Sequence, residues 1–394
     1  MFTARSNPSV GPRYLTTRLI IIVDASVAEG ANCLWGEGLI KAKLFLSESH
    51  TMRLGCMIRT YKSRSSSNSS AVHYFEFSTM SIPKLQLRFL VIGGGLAGVS
   101  AAIALARNGH HVTVLEAQQA FSEVGAGIQV PPNATRILDQ WGLLSRLLDY
   151  ATSPLDIQFR SYGSGQILSV TPLIPDLQTR YHSPHLVLHR ADLLSVLVDE
   201  ARRLNVELRT GCAAAEIDFS ARTVRTVSGH VFTGDIIVGA DGEKSSTRNL
   251  AQGQDTAPET TGRLVYRLTV NSDLMMTEKS TRDLVHPPRI TCWLGPDMHI
   301  LCYNLESRDV CNVVFSRADD TPTQQRLPGP QLVAMEEMRR IFPHWDEPLR
   351  RMLDLAESAV YWPALKGRDI DTWSHRCGSF ILIGDAAHTM PPHL

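Results

Sequence analysis

Residues 88–116 read RFLVIGGGLAGVSAAIALARNGHHVTVLE. An apolar run of strand type, Phe89-Leu90-Val91-Ile92, leads into Gly93, Gly95 and Gly98 at G-x-G-x-x-G spacing. An Ala/Leu-rich helical segment then runs to Asn108, with Gly109 where a helix C-cap belongs. A second strand, Val112 to Leu115, ends at Glu116. This is a complete βαβ unit of about 30 residues closed by an acid, the context in which a dinucleotide-binding fingerprint becomes informative. Gly93, Gly95 and Gly98 allow a tight turn and a close backbone approach to a pyrophosphate. The helix N-terminus supplies unpaired N–H groups and the positive end of its dipole. Glu116 is placed to accept hydrogen bonds from a ribose.

The remainder of the chain has room for a core and gives no sign of a charged partner. Its 394 residues are enough for two or three domains. Lys plus Arg equals Asp plus Glu at 39 each, so no global field points to nucleic acid or an anionic membrane. No apolar run approaches the roughly 18 residues of a spanning helix. The seven cysteines lack C-x-x-C and metal-ligand spacing, and the histidines form no H-x-x-x-H pair beside an acid, so no metal site is expected. An odd, scattered cysteine set suits reduced thiols in a cytoplasmic protein.

Residues 1–84 differ in texture from the rest of the chain. Arg5, Arg13 and Arg18 precede the first acid, Asp24, which is compatible with a mitochondrial transit peptide as the alternative location. A basic, serine-rich tract, RTYKSRSSSNSS (59–70), reads as disordered linker, and Met80 stands just ahead of the first strand. The segment is expected to be an atypical extension outside the fold.

After Glu116, a Gly125-Ala126-Gly127 turn and Pro131-Pro132 punctuate a loop, and Asn133 is the expected N-cap of the next helix. The strand Leu186 to Leu188 is followed by His189-Arg190 and a helix over 191–204. Strand-like segments at 206–210, 224–227 and 230–233 lead to a strand ending in Asp241-Gly242. From 265 the pattern changes to long alternating strands, at 265–270, 289–295, 298–306 and 309–317, which predict an antiparallel sheet with one covered face. Helices are expected over about 331–342 and 347–357, and a closing strand at 380–383 runs into Gly384-Asp385.

Three motifs thus occur in order: GGGLAG with Glu116, GADGEKSSTR (239–248) and LIGDAAHTMPP (382–392). With LHRADLL (188–194), EVGAGIQVPPNATRIL (123–138) and WLGPDMHILCYNL (293–305), they make residues 86–394 resemble the FAD-dependent aromatic hydroxylases. These are the single-component flavoprotein monooxygenases, and the likeness extends to salicylate-hydroxylase-like fungal members. The resemblance implies an α/β fold: a Rossmann-type FAD-binding domain with a three-layer, mostly parallel sheet and an inserted α+β substrate domain on an antiparallel sheet. The expected boundaries are 85–262 for the first part of the FAD-binding domain, 263–362 for the substrate domain and 363–394 for the return. Family members continue past the position of Leu394 with a glycine-rich loop and a helix, so the chain is expected to be short at that end.

Carried onto matching positions, the resemblance assigns Gly93, Gly95, Gly98 and Glu116 to the ADP half of FAD. It places Arg190 at the phosphates or ribityl, Asp241-Gly242 with Arg248 at the FAD and nicotinamide pyrophosphates, Asp385 at the ribityl and Gly127 near the flavin entrance. It also implies NADH or NADPH as a visiting co-substrate, O2, and a flavin C4a-hydroperoxide that hydroxylates a small aromatic, phenolic or polyketide-like ring. That chemistry needs a dry, mostly apolar pocket under the second sheet. Arg267 is the candidate for holding a carboxylate or phenolate, and Tyr303 for orienting the ring. A monomer or homodimer is expected. A flavin oxidase or dehydrogenase, or a non-catalytic FAD-binding remnant, are the alternatives on the same scaffold.

Overall fold

The computed structural model describes residues 85–122, 127–319 and 329–391. The expectations for residues 1–84, for Gly125 and Ala126, and for the last three residues lie outside this range.

The fingerprint strand Arg88–Ile92 is the centre of a five-stranded parallel sheet. Across that sheet the order is Phe380–Leu382, Ile236–Gly239, Arg88–Ile92, His111–Leu115, Glu207–Arg209. The two central strands, Arg88–Ile92 and Ile236–Gly239, are covered on both faces, which explains why they run apolar without alternation. Val91, Val114 and Val238 pack against the helices Leu96–Arg107 and Arg190–Arg203, whereas Leu90, Ile92, Ile237 and Phe380 belong to a separate cluster on the other face. The chain leaves the central strand to one side first and returns to the other, so the carboxyl ends of Arg88–Ile92 and Ile236–Gly239 flank a topological switch point. Ligands of open α/β sheets bind at such crevices.

The second sheet has eight strands, in the order 331–333, 359–366, 259–271, 310–318, 298–305, 290–295, 156–161, 167–172. The four predicted strands are all in it. Its inner face carries Tyr266, Leu268, Trp293, Cys302 and Phe315 into a core closed by the helices Met335–Ile341 and Glu347–Asp354. Its other face carries Arg267, Tyr303 and Val314, the alternate residues of the same strands.

The large sheet has two strands beyond those predicted, and two local expectations differ from the structure. Two strands of the large sheet, Asp156–Ser161 and Ile167–Pro172, come from ahead of the expected boundary at 262, and Asp156–Ser161 runs parallel to Ile290–Gly295. The sheet is therefore mixed, antiparallel at every other pairing. Residues 331–333 form an edge strand against Ala359–Tyr361 rather than the start of a helix, which begins at Met335. Asn133 is not an N-cap: Pro131 holds that position and Pro132 opens the helix Pro132–Gln140, where a missing N–H costs nothing. Among the described residues no helix is long and apolar enough to cross a membrane.

Candidate functional site: a nucleotide crevice and an adjoining pocket

A cavity of about 590 Å³ opens at the switch point. It is lined by Gly93, Gly95, Glu116, Arg190, Asp241, Gly242 and Asp385, so seven of the residues expected to meet a cofactor share one wall system. The Rossmann turn is built as its glycines require. A Cβ on Gly98 would stand 2.0 Å from the Gly93 carbonyl oxygen, so only glycine lets the helix start this close to the strand. Gly98 supports the cavity from beneath and does not line it. Glu116 accepts from the Gly94 N–H at 2.7 Å through one oxygen and from the Gln118 N–H at 2.8 Å through the other. Each oxygen keeps a lone pair for a further donor such as a ribose hydroxyl.

The far motif closes the same crevice. A Cβ on Gly384 would come within 2.7 Å of Ala97 Cβ, which shows how closely the Gly384-Asp385 turn sits on the start of the fingerprint helix. Asp385 is exposed and opens the short helix Asp385–His388.

Two of the expected residues are engaged by the protein itself. The Asp241 carboxylate accepts from the Ser245, Ser246 and Thr247 hydroxyls at 2.5, 3.1 and 2.6 Å, and from the Thr247 N–H at 3.0 Å. It organises the turn into the helix Ser246–Gln252 and reaches the cavity as wall, with its acceptors already engaged. Arg248 does not reach the cavity. It is buried, and its guanidinium donates to Thr256 Oγ1 at 3.0 Å and to the carbonyls of Glu243, Ala386 and Asp385 at 2.9, 3.1 and 3.4 Å. Arg248 thus ties the 241–248 turn to the 384–388 turn.

A second cavity, of about 490 Å³, lies against the open face of the large sheet. Gly127, Arg267, Tyr303, Trp362 and His185 line it, and Arg190 lines both cavities. The Arg267 guanidinium carbon sits 5.4 Å from the Trp362 ring centre, and its Nε is buried without a hydrogen-bond partner among the described residues. Burial lowers the Arg267 pKa, the polar Tyr303 opposes that shift and Arg190 adds to it. Tyr303 is buried, and desolvation pushes its phenol far above the usual range, so it stays protonated and available as a donor.

Sequence reasoning missed three residues here. His185 Nε2 lies 3.2 Å from Gln129 Oε1, and burial lowers its pKa, which keeps the ring neutral. Asn312 is buried and accepts from the Gly127 N–H at 3.1 Å, leaving its Nδ2 without a partner among the described residues. Trp362 was hidden in a strand. Only Asn312 carried a signal, as a polar residue inside the apolar run Val310 to Phe315.

Comparison with known proteins agrees with this arrangement. Residues 86–394 match the family model described as FAD binding domain. The chain is 36% identical over 311 residues to the FAD-dependent monooxygenase OpS4 of Beauveria bassiana (strain ARSEF 2860), covering 78% of this chain and 72% of that protein. It is 33% identical over 308 residues to the 3-amino-4-hydroxybenzoate 2-monooxygenase PtnB3 of Streptomyces platensis, covering 78% and 74%. Among solved structures, CtdE in complex with FAD and a substrate matches with a TM-score of 0.69 at 19% identity, covering 78% and 76%. A salicylate hydroxylase substrate complex matches at 0.64 and 24%, covering 78% and 75%. These two establish the fold. A cradle that only glycine permits, an acid with spare acceptors and a crevice of this size fit FAD, the cofactor of the matched family. The chain belongs to the FAD-dependent aromatic hydroxylases and is an FAD-dependent monooxygenase.

Proposed function

We propose that this monooxygenase hydroxylates a phenolic aromatic ring, using NADH or NADPH as a visiting reductant and O2 as the oxygen source. The observation that carries the reading is Arg190, which lines both the nucleotide crevice and the basic, aromatic pocket on the large sheet. A cofactor held in the first cavity therefore has a substrate-sized cavity beside it.

In this reading the ADP portion of FAD rests on Gly93, Gly95 and Glu116, while Arg190, Gly242 and Asp385 meet its phosphates and ribityl. When bound, FAD supplies the redox chemistry, accepting reducing equivalents from the nicotinamide and activating O2. The protein's own part is substrate charge, orientation and dryness. Arg267, partly desolvated and with an Nε that has no partner among the described residues, favours the anionic form of a phenol or a ring carboxylate. Tyr303, held protonated, donates a hydrogen bond that orients the ring. His185, neutral and set by Gln129, is an acceptor for the phenol proton. Val265, Leu301 and Val314 keep water from the reacting carbon. The substrate site is drawn from 263–362, with Gly127, His185 and Arg190 contributed by the other part of the chain. The scattered cysteines of the sequence support a cytoplasmic location as part of the same reading.

The test is substrate-stimulated NAD(P)H oxidation under 18O2 with mass analysis of the product. One labelled oxygen in a hydroxylated ring is expected. Unlabelled product with stoichiometric H2O2 would instead establish the oxidase reading.

A further inference from the structure

A third cavity, also of about 490 Å³, continues the sheet-face pocket away from the nucleotide crevice. Val265, Val314 and Ala364 line both, so the two are consecutive parts of one trough across the same sheet face. Alternation explains the continuity. Along 259–271 the residues facing the trough are Arg263, Val265 and Arg267, and in 298–305 they are His299, Leu301 and Tyr303. Val265 pairs with Trp362 on one side and Ser316 on the other, and Arg267 pairs with Val314.

From Arg267 to Arg263 is four residues of strand, about 13 Å at about 3.3 Å per residue. That is roughly twice the length of one phenolic ring. The middle is apolar, with Val265, Val314 and Ala364, and the far end adds Leu294 and Met298 beside the polar groups of Thr261, Ser316 and His299. Arg263 at that end is committed: its Nη2 donates to the Asp297 and Ser316 carbonyls at 2.6 and 2.8 Å, and its Nε to Ser316 Oγ at 3.1 Å. Three Arg263 N–H groups are thus spent on neutral protein oxygens, so the far end is polar, with Arg263 and Asp297, while the middle of the trough is apolar.

We propose that this third cavity is a substrate subsite, and that the enzyme is built for an extended aromatic: a phenolic ring at Arg267 and Tyr303 carrying a second ring or a chain of comparable length over Val265, Val314 and Ala364. The inference rests on the phenol-hydroxylase reading and refines its substrate class. A single-ring hydroxybenzoate fills only the near end and leaves the apolar middle wet. Burying a second ring there removes apolar surface from water and adds contact with these side chains.

The test is calorimetric titration of the full chain, loaded with FAD, with salicylate and with 3-hydroxy-2-naphthoate, which keeps the same hydroxy acid and adds a ring. The naphthoate is expected to bind at least tenfold more tightly. Leu294→Trp and Met298→Trp, which narrow the far cavity, are expected to shrink the ratio of the two dissociation constants for a longer probe, a 4-phenyl salicylate. Thermal melts verify folding of each variant. A wild-type ratio near one for both extended ligands, or a ratio unmoved in both variants, overturns the subsite. Arg267→Met separates the two claims. If it weakens salicylate while the ratio stays near one, the phenol site stands and the extension fails. If none of the ligands binds at millimolar concentration, both fail.

Discussion

A Cβ built on Gly127 falls 2.5 Å from Tyr303 Cε2 and 2.6 Å from its hydroxyl. The short sheet of Gly127–Val130 and Leu186–His189 therefore meets the large sheet where there is no space for a methyl group. Gly127 is also tied to that sheet by its N–H to Asn312.

Gly127→Ala is accordingly expected to displace the Tyr303 ring and weaken binding of a phenolic ligand at least tenfold, about 1.4 kcal/mol. Tyr303→Leu in the same background makes room for the methyl group, so the double variant is expected to lose less than the sum of the singles. Ligand titrations on the four proteins measure this. Strict additivity would show that the two residues do not share the pocket wall.

Glu116 holds the fingerprint turn from the opposite side, accepting from Gly94 and Gln118. Glu116→Ala leaves both N–H groups without their acceptor and removes the spare lone pairs facing the crevice, a loss of about 1–3 kcal/mol. FAD affinity, followed by quenching of flavin fluorescence, is expected to fall by tenfold or more, with Glu116→Gln in between. An Ala variant within twofold of wild type would remove Glu116 from the cofactor site.

The fingerprint unit was legible because everything it needs is local: a strand, three glycines, a helix and an acid inside 29 residues, each restricting the next. The long strands after 265 were legible through alternation, since one face is a packed core. The strand 156–161 was not, because its place beside Ile290–Gly295 is decided by pairing across more than a hundred residues of chain, and 167–172 joins the sheet only as its local partner at the edge. Arg190, Arg267 and Tyr303 were readable as site residues only through the resemblance. Arg248 shows the limit of that route: the motif indicated that the residue matters, but where its donors end depends on how the 384–388 turn packs.

Arg248 accordingly bears on stability in the protein without cofactor. Arg248→Met removes four donated hydrogen bonds and leaves the Glu243 and Ala386 carbonyls and Thr256 short of a partner, while sparing the cost of burying a cation. A net loss of about 3 kcal/mol is expected. Calorimetry of the apoprotein is then expected to show a Tm lowered by about 4 °C. An unchanged apoprotein Tm combined with weakened FAD binding would return Arg248 to the cofactor site.

Acid sensitivity is expected from two histidines. Burial lowers the His185 pKa from its ordinary 6.5, and burial with the nearby Arg308 and Arg267 cations lowers that of His189, against the opposing pull of Asp192. His189 is also an N-cap, its Nδ1 accepting from the Ala191 N–H at 3.2 Å, a role that requires an unprotonated nitrogen. A histidine whose folded pKa lies below its unfolded value binds protons more readily in the unfolded chain. Its burden on stability is therefore absent above about pH 6.5 and grows as pH falls below that value, until the folded pKa is passed. Melting temperatures at pH 7.5 and 5.5 are expected to differ less in His185→Gln than in wild type. They are expected to differ less still when His189→Asn, which preserves a capping acceptor, is added. Parallel pH dependences in all three proteins would mean that neither ring is held neutral by the fold.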